Sequence, residues 1–257
     1  MHERTRITRI EGDSAAEADD LLVIEEPLEI RVGEKPVSVT LRTPGDDFDL
    51  AAGFLFTESI VREASHVNAI RHWGSPNVVR VDVNGALDLQ RLQRHFYSTS
   101  SCGVCGKTSI DALRTEAKAI ESEVRVSRDV VNALPETLRR EQKAFDATGG
   151  LHAAGIFDAS GALMRIREDV GRHNAVDKAL GSFFRERTPL DDRILVVSGR
   201  TSFEIVQKAI VARIAILAAV GAPSTLAVDL ARQFGLTLLG FVRDGRFNVY
   251  SRGERVK

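Results

Sequence analysis

The amino-acid sequence of 257 residues predicts an α/β protein, and three observations support this class. The stretch "RILVVSG" is apolar without interruption, which is typical of a strand that is buried on both faces of a sheet. Strand-like and helix-like segments alternate after residue 106, and this alternation indicates a layered α/β architecture. Before that point, "PLEIRVGEKPVSVTLRTPG" alternates apolar and polar residues, as expected of a hairpin in a smaller α+β unit.

The elements of the first half follow from local patterns. Residues 1–20 contain no apolar run, and we expect them to form a disordered leader. The hairpin is expected to turn at "VGEKP" around Gly33. A helix-like "DLAAGFLFTESIV" follows, and "VVRVDVNG" is a strand that ends at Asn84 and Gly85. We therefore predict an N-terminal α+β domain, residues 21–106, that ends in a loop with both cysteines.

The second half, residues 107–257, is predicted to form the larger domain. Helices are expected over "TSIDALRTEAKAIES" and over "PETLRREQKAF", the second with Pro135 in its first turn. The segment "LHAAGIFDASGALMRIRED" is expected to form a hairpin that turns at Ser160 and Gly161, and "HNAVDKALGSFFRE" is expected to form the next helix.

The remaining elements continue this alternation. After the buried strand, "TSFEIVQKAIV" is expected to form a helix in which Thr201 and Glu204 make a capping box. A helix over "APSTLAVDLARQFG" follows, and "TLLGFVRDGRFNVYS" is expected to form a hairpin with its turn at Asp244 and Gly245. The change of pattern places the domain boundary near the cysteine loop.

Composition excludes several classes of protein. Hydrophobic residues make up 43% of the chain and charged residues 28%, as in ordinary globular proteins. A formal net charge of -1 argues against a general nucleic-acid binder. The first residues lack the apolar core of a secretory signal, and the longest apolar stretch, "AILAAVGA", is too short to cross a bilayer. We therefore predict a cytoplasmic protein with no nucleic-acid partner and no membrane partner.

The two cysteines of the chain, Cys102 and Cys105, stand together in "SSCGVCGK". A permanent disulfide is not expected in a cytosolic protein, which leaves a metal site, a redox couple and a sulfur carrier. The pair precedes a predicted helix, and a helix N-terminus or a nearby cation such as Lys107 favours the reactive thiolate. Gly103 and Gly106 would let the loop move and let a bulky partner approach its backbone.

The alternatives for the cysteine pair remain open at the level of the residues. A structural zinc site needs about four ligands, so His152 and His173 would have to complete it. A thioredoxin-like couple would follow the first strand of a βαβ unit, whereas this pair follows an entire predicted domain. Two buried and inert cysteines are a further alternative, although a glycine-rich loop is a poor place to bury them.

Polar residues also cluster in two short segments. In "REDVGRHNAVDK", His173 and Asp177 lie four residues apart on one face of the predicted helix, and so do Asn174 and Lys178. In "VVSGRTSFE", backbone amides at a helix N-terminus could hold a phosphate, to which Arg200 would add charge. Ordinary helix capping and solvated ion pairs explain both patterns equally well.

Eight stretches together resemble the FdhD-type formate dehydrogenase accessory proteins, a family of sulfurtransferases. They run in order from about Pro27 to Tyr250, nearly the whole chain. The stretches are "PLEIRV", "RTPGDDFDLAAGFLFTE", "SSCGVCGK", "TGGLHAAGIFD", "REDVGRHNAVDKALG", "VSGRTSFEIVQKA", "APSTLAVDLA" and "GFVRDGRFNVY". The resemblance implies a larger domain similar to the cytidine deaminase fold, and a homodimer.

The resemblance also implies an activity. A sulfurtransferase of this kind would take sulfur from a cysteine desulfurase and pass it to the molybdenum cofactor, a bis-molybdopterin guanine dinucleotide. The loaded cofactor would then be inserted into formate dehydrogenase. A guanine nucleotide would mimic part of this cofactor, and no resident metal is expected. The alternative function is a chaperone that binds the cofactor without transferring sulfur.

The family's functional residues carry over onto matching positions. The persulfide-forming cysteine falls on Cys102, and Cys105 occupies the second position of the pair. The cofactor-binding segment falls on Phe241, Val242, Arg243, Asp244, Gly245 and Arg246. The likeness to deaminases does not extend to their chemistry, because those enzymes need a His-x-Glu and a later Pro-Cys-x-x-Cys, whereas Ala154 stands where the glutamate would be.

Overall fold

The computed structural model describes residues 2–84 and 117–257. Within these ranges the helices are α1 Asp47–Thr57, α2 Arg128–Arg140, α3 Lys143–Thr148, α4 Arg172–Arg185, α5 Phe203–Val211 and α6 Thr225–Phe234. The strands are β1 His2–Glu11, β2 Ser14–Val23, β3 Glu26–Val32, β4 Lys35–Arg42, β5 Val67–His72, β6 Val78–Val83, β7 His152–Phe157, β8 Leu163–Asp169, β9 Ile194–Val197, β10 Ile216–Ala219, β11 Thr237–Arg243 and β12 Arg246–Ser251. None of the described helices is long and apolar enough to cross a bilayer.

A mixed sheet of six strands organises the second half of the chain. Its order is β12-β11-β10-β9-β7-β8, and the central strands β9, β10 and β11 run parallel to one another. The outer pairings, β11 with β12, β7 with β8 and β7 with β9, are antiparallel. The three parallel strands therefore end at the same edge of the sheet.

The central strands are apolar throughout because both faces of this sheet are covered. Leu195 and Val197 of β9 pack with helices α4, α5 and α6 on one face. Ile194 and Val196 point to the other face, where they pack with Leu134 and other residues of α2. Since successive side chains of a strand alternate between faces, every position of β9 must be hydrophobic. The prediction of a strand that is buried on both faces is confirmed.

A second sheet of four strands forms the smaller part of the fold. Its order is β4-β3-β6-β5, with β3 and β6 parallel and the other pairs antiparallel. Leu28, Ile30 and Val32 alternate along β3 and pack with α1, and Phe184 of α4 joins this second core. The α/β class with a larger and a smaller part is confirmed. The predicted boundary between 106 and 107 lies outside the described residues and stays a prediction.

The expectation of a disordered leader over residues 1–20 is wrong. Strands β1 and β2 form an antiparallel hairpin that pairs His2 with Val23 and Glu11 with Ser14. Gly12 has a φ of 62°, which supplies the left-handed backbone that a two-residue hairpin turn requires. Arg4 and Arg6 of β1 lie 3.6 and 3.7 Å from Asp19 and Glu17 of β2, respectively. Charged cross-strand pairs therefore take the place of the apolar alternation that usually identifies a hairpin.

Three helix predictions need correction. Helix α2 begins at Arg128, capped by Ser127, whose Oγ accepts from the Val130 amide at 3.2 Å, so Pro135 lies inside the helix rather than in its first turn. Residues 117–122, the described part of the helix predicted from Thr108, are not helical. The Ile120 amide donates instead to the carbonyl of Phe234, the last residue of α6. The carbonyls of Ile120 and Ser122 accept from the Arg255 guanidinium.

The third correction concerns the predicted capping box. Helix α5 begins one residue later than expected, with Ser202 rather than Thr201 at the N-cap position. The Thr201 amide donates to the Ala222 carbonyl at 3.0 Å, and Thr201 forms a bridge with Pro223. The other predicted helices and hairpins in the described ranges are confirmed, including the turns at Gly33 and at Asp244.

The two parts of the fold meet where helices α1 and α4 cross. A Cβ atom on Gly53 would lie 1.9 Å from the Asp177 carbonyl oxygen, and one on Gly181 would lie 2.0 Å from the Asp49 carbonyl oxygen. Both contacts are with backbone atoms, which cannot rotate away as a side chain can. Glycine is therefore required at both positions for the helices to approach this closely.

We expect Gly181→Ala to destabilise the protein by about 3 kcal/mol or more, because the added methyl group forces the two helices apart. A loss of stability would be diagnostic of the close backbone contact, since alanine normally stabilises a helix relative to glycine by about 1 kcal/mol. Urea unfolding measures the change. The matched control is Gly253→Ala, whose added Cβ would meet only the Val249 side chain, at 3.1 Å. Equal stability of the two variants would contradict the requirement for a backbone contact.

Candidate functional site

A cavity of about 840 Å³ opens at the edge of the large sheet where the parallel strands end. Ser198 and Val220, which follow β9 and β10, line this cavity together with Arg243, the last residue of β11. Ligands of α/β proteins bind at the carboxyl ends of parallel strands, where backbone groups and loops converge. This cavity is therefore the candidate site.

The β11–β12 turn forms one wall of the cavity. Arg243, Asp244 and Gly245 line it, and Asp244 and Gly245 have φ values of 54° and 70°. Phe241 also has a positive φ of 54°, where the pairing of β11 with β12 is irregular. Its amide donates to the Gly221 carbonyl at 3.1 Å. This bond ties the strand to the loop after β10 and fixes the position of the turn.

The predicted cofactor-binding segment thus divides into three groups. Arg243, Asp244 and Gly245 border the cavity, whereas Val242 is fully buried in the core below it. Phe241 and Arg246 do not line the cavity, although the Phe241 ring lies 5.9 Å from the Arg243 guanidinium. The binding role of the segment stays a prediction, and within the segment only Arg243, Asp244 and Gly245 line this cavity.

Helices α2 and α3 form the facing wall, which the sequence did not point to. Glu136 and Arg139 line the cavity from α2, and Phe145 lines it from α3. The Arg139 guanidinium lies 4.7 Å from the centre of the Phe145 ring and 2.5 Å from Asp146 Oδ1. In the sequence Glu136 and Arg139 belong to a charged amphipathic helix, a pattern that gives no sign of a cavity. Only the i, i+3 spacing of these two residues indicates that they share a face.

His152 and Ser198 lie between these walls. The Ser198 side chain accepts a hydrogen bond from the Ala153 amide at 2.9 Å, and the Ser198 amide donates to the Ala153 carbonyl at 3.0 Å. Burial lowers the pKa of His152, the positive charge of Arg172 lowers it further, and Asp169 opposes both. The imidazole is therefore neutral at physiological pH. It could accept a proton from a ligand or donate one hydrogen bond to it.

His173, the other histidine singled out in the sequence, does not line this cavity. Its Nε2 lies 3.2 Å from Ser202 Oγ and 3.9 Å from the carboxylate of Glu204. Burial lowers the pKa of His173 to about 4, with further lowering from Lys208 and Arg172. The ring is therefore neutral in the folded protein and joins the start of α4 to the start of α5.

Asp177 was predicted to share a helix face with His173, but it binds elsewhere. Its Oδ1 accepts from Thr57 Oγ1 at 2.7 Å, and its Oδ2 accepts from Lys208 Nζ at 2.9 Å. Lys208 also donates to Glu58 Oε1 at 2.9 Å. Burial opposes the charge of Lys208, but the Asp177 and Glu58 carboxylates outweigh it and raise the pKa of Lys208. This network is a structural link between α1, α4 and α5.

The neighbouring Asn174 and Lys178 build a second link. Lys178 Nζ lies 2.7 Å from Asp169 Oδ2 and donates to the Thr43 carbonyl at 2.8 Å. Asn174 donates to Asp169 Oδ1 at 3.0 Å and to the Leu41 carbonyl at 2.8 Å. The polar run "REDVGRHNAVDK" therefore joins the smaller sheet to α4. In the structure its residues serve packing between elements rather than the cavity.

Cys102 and Cys105 lie outside the described residues, as does Lys107. Within the described ranges, no group of three or more His, Asp and Glu side chains is arranged to hold a metal ion. Arg200 follows the loop residue Gly199, and a Cβ on Gly199 would lie 3.3 Å from His152 Nδ1. The loop after β9 thus borders the cavity with Ser198 and packs against the His152 ring with Gly199.

The fold and the cavity define a class of α/β protein with a cavity at the carboxyl edge of a mixed sheet. The chain matches the FdhD/NarQ family over residues 23–257. It belongs to this family.

Its relatives extend over the full length of the chain. The sulfur carrier protein FdhD of Streptomyces coelicolor is 47% identical, and the match covers 99% of this chain and 95% of that protein. The proteins of the same name from Mycobacterium tuberculosis and Sulfolobus acidocaldarius are 44% and 41% identical, each with 98% of this chain covered. The match covers 97% and 98% of those two proteins, respectively.

A crystal structure of a formate dehydrogenase accessory protein from Desulfotalea psychrophila has the same fold. Its TM-score is 0.82, and the match covers 100% of this chain and 99% of that one at 23% identity. At this identity the likeness concerns the fold, and it agrees with the α/β class predicted from the sequence.

Protonation of His173 provides a test of its burial between the start of α4 and the start of α5. In the unfolded chain His173 is protonated below about pH 6.5, whereas in the folded protein it is protonated only below about pH 4. The free energy of unfolding therefore falls as the pH is lowered through this range. The fall attributable to His173 is up to about 3 kcal/mol. We expect the difference in unfolding free energy between wild type and His173→Gln, measured with urea, to shrink as pH falls from 7 to 4. A difference for His173→Gln that stays constant over this range would contradict the assignment.

Proposed function

We propose that this protein is a sulfur carrier that serves formate dehydrogenase. Sulfur would be held as a persulfide on Cys102 and passed to the molybdenum cofactor, a bis-molybdopterin guanine dinucleotide, before the cofactor enters the enzyme. Membership of the FdhD/NarQ family and relatives named sulfur carrier protein support the first part. The observation that carries the second part is the large cavity beside the turn at Arg243.

The first step is a transfer of sulfane sulfur from a cysteine desulfurase. The Cys102 thiolate attacks the outer sulfur of the donor's persulfide, a Cys102 persulfide forms, and the donor's cysteine leaves as a thiolate. One S–S bond breaks and one forms, so the step needs no external oxidant or reductant. It follows the chemistry of thiol–disulfide exchange.

The second step must convert sulfane sulfur to sulfide. If the Cys105 thiolate attacks Cys102 Sγ, a Cys102–Cys105 disulfide forms and hydrosulfide leaves. The two thiols supply the two electrons that reduce the sulfur. The hydrosulfide would become the sulfido ligand of molybdenum, and a dithiol reductant would regenerate the cysteines. Alternatively, Cys105 only shields or tunes Cys102, and the outer sulfur of the persulfide would pass directly to a reduced cofactor. That substrate would supply the two electrons, and Cys102 would leave as a thiolate.

The cavity is the proposed place of the cofactor during this transfer. Arg243 would face a diphosphate group, because its guanidinium is half exposed and, within residues 2–84 and 117–257, has only Asp244, at 4.0 Å, as a neighbouring carboxylate. His152, neutral at physiological pH, could take up a proton released when the sulfur is delivered. A homodimer with one nucleotide site per subunit would match the two guanine dinucleotide arms, and the cytoplasm is the proposed location.

The carrier role is tested by intact mass after incubation with a cysteine desulfurase and cysteine. Wild type should gain about 32 Da in a form that reductant removes, and Cys102→Ala should gain nothing. Cys105→Ala should load normally and retain its sulfur longer if Cys105 releases hydrosulfide. Loading of Cys102→Ala would contradict the assignment of the sulfur to Cys102. No loading of wild type would reject the carrier role and favour a cofactor chaperone, whose function rests on the cavity alone.

The placement of the cofactor is tested by binding of GDP, which carries its guanine nucleotide portion. Arg243→Ala should weaken GDP binding about 10-fold or more by calorimetry, since a charge-assisted contact to phosphate is lost. The matched control is Arg246→Ala, which removes a neighbouring cation that does not line the cavity. Equal losses in both variants would indicate a general effect of surface charge, and no loss in Arg243→Ala would remove this residue from the site.

A further inference from the structure

Helix α3 forms part of the cavity wall, although little in its own sequence holds it in place. It has six residues, and none of them is buried. A helix of this length is not stable alone, because forming its first turn is unfavourable and few hydrogen bonds follow. Its N-cap residue, Gln142, makes no capping hydrogen bond with its side chain. The position of α3 must therefore come from contacts with other elements.

Glu168 of β8 supplies the missing cap. Its Oε2 accepts from the Ala144 amide at 3.0 Å, and its Oε1 accepts from the Phe145 amide at 2.9 Å. The preceding amide, that of Lys143, donates to the Glu141 carbonyl at 3.0 Å. One carboxylate thus pairs the two first-turn amides that have no backbone acceptor among the described residues. Hydrogen bonds to an ionised acceptor are roughly twice as strong as those between neutral groups.

The strand that carries Glu168 is itself held from the opposite face of the sheet. Successive side chains of a strand alternate between faces, so Asp169 points away from α3 and toward α4. The Asp169 carboxylate is fully buried, lies 2.7 Å from Lys178 Nζ and accepts from the Asn174 side chain at 3.0 Å. Pairing of Glu168 with Ala153 of β7 adds a further constraint. The carboxylate that caps α3 therefore extends from a fixed backbone.

One of the two amides that Glu168 holds belongs to a residue whose side chain lines the cavity. The Phe145 ring lies there together with Arg139, whose guanidinium is 4.7 Å from the centre of the ring. Glu168 does not line the cavity. A displacement of the α3 backbone would move the Phe145 ring and separate it from the guanidinium. Glu168 therefore acts on the cavity through α3.

We propose that Glu168 is a positioning residue of the candidate site. Its carboxylate holds α3 where the Phe145 ring and the Arg139 guanidinium together form one wall of the cavity. This role differs from that of Asp169, which joins the smaller sheet to α4. The inference rests on the proposed function, because the ligand whose affinity depends on this wall is the proposed cofactor. The position of α3 is nevertheless measurable without any ligand.

The first experiment measures amide hydrogen exchange by NMR on the full-length protein without ligand. In Glu168→Gln one acceptor oxygen is replaced by an amino group that cannot accept. We expect the Ala144 and Phe145 amides to exchange about 10-fold or more faster, while the Val196 amide of the central strand β9 keeps its rate. Unchanged exchange at Ala144 and Phe145 would overturn the proposal. Equal acceleration at Val196 would also overturn it, because the effect would then be a loss of global stability.

The second experiment measures GDP binding by calorimetry. Glu168→Gln is expected to bind GDP about 3-fold or more weakly than wild type, and Glu168→Ala, which lacks both acceptors, about 10-fold or more weakly. Thermal unfolding checks that each variant folds, and Glu168→Gln alone decides the result if Glu168→Ala does not fold.

The matched control is Glu186→Gln. The Glu186 carboxylate accepts two hydrogen bonds from Arg165 of the same strand, at 2.7 and 2.8 Å, and does not line the cavity. Its GDP affinity should equal that of wild type. Equal losses in Glu186→Gln and Glu168→Gln would indicate a general disturbance of β8 and would overturn the proposal.

The outcomes separate this inference from the proposed function. Faster exchange in Glu168→Gln with unchanged GDP affinity would overturn the positioning role and leave the cofactor's place in the cavity intact. Absence of GDP binding to wild type would reject that place, and exchange at Ala144 and Phe145 would then decide whether Glu168 positions the wall. Failure of wild type to load sulfur on Cys102 would reject the carrier function and leave this inference standing.

Discussion

The backbone contact between Gly53 and Gly181 determines how the two parts of the protein fit together. With no side chain between them, α1 and α4 lie close enough for polar groups on either side of the crossing to form bonds. Asp177 reaches Thr57 and Lys208, and the next residue, Lys178, reaches Asp169 and the Thr43 carbonyl. Buried charges of this kind are tolerated only when their partners are held in place. A wider crossing would leave both sets unpaired.

The cavity depends on this arrangement indirectly. Helix α4 carries the second link and covers one face of the large sheet, while α2 covers the other and forms a cavity wall. The strands between them place Ser198, Val220 and Arg243 along one edge. Residues from 132 to 245 thus meet in one space, although each belongs to an element whose sequence is explained by packing.

Periodicity and turn chemistry predicted the elements that local sequence dictates, such as β9 and the turn at Asp244. They failed for the hairpin of residues 2–23, because its strands pair by charge rather than by apolar alternation. The sequence drew attention to His173, Asp177 and Lys178, which turned out to join helices. It did not point to Glu136 and Arg139, because a polar face on an amphipathic helix looks the same whether it borders water or a cavity. Nothing in the sequence indicated that Gly181 must be glycine, since this requirement comes from its contact with the backbone of α1.

Arg255 has a consequence for how the chain is made. Its guanidinium is fully buried and donates to the carbonyls of Ser122, Gly235 and Ile120, and Val126 pairs with Val256. Residues 120–126 therefore cannot reach their final positions until Arg255 has emerged from the ribosome. At about 5–20 residues per second, translation separates the two by roughly 7 to 27 seconds. During that interval the segment that follows the cysteine loop is synthesised but unanchored, and exposed to chaperones and proteases.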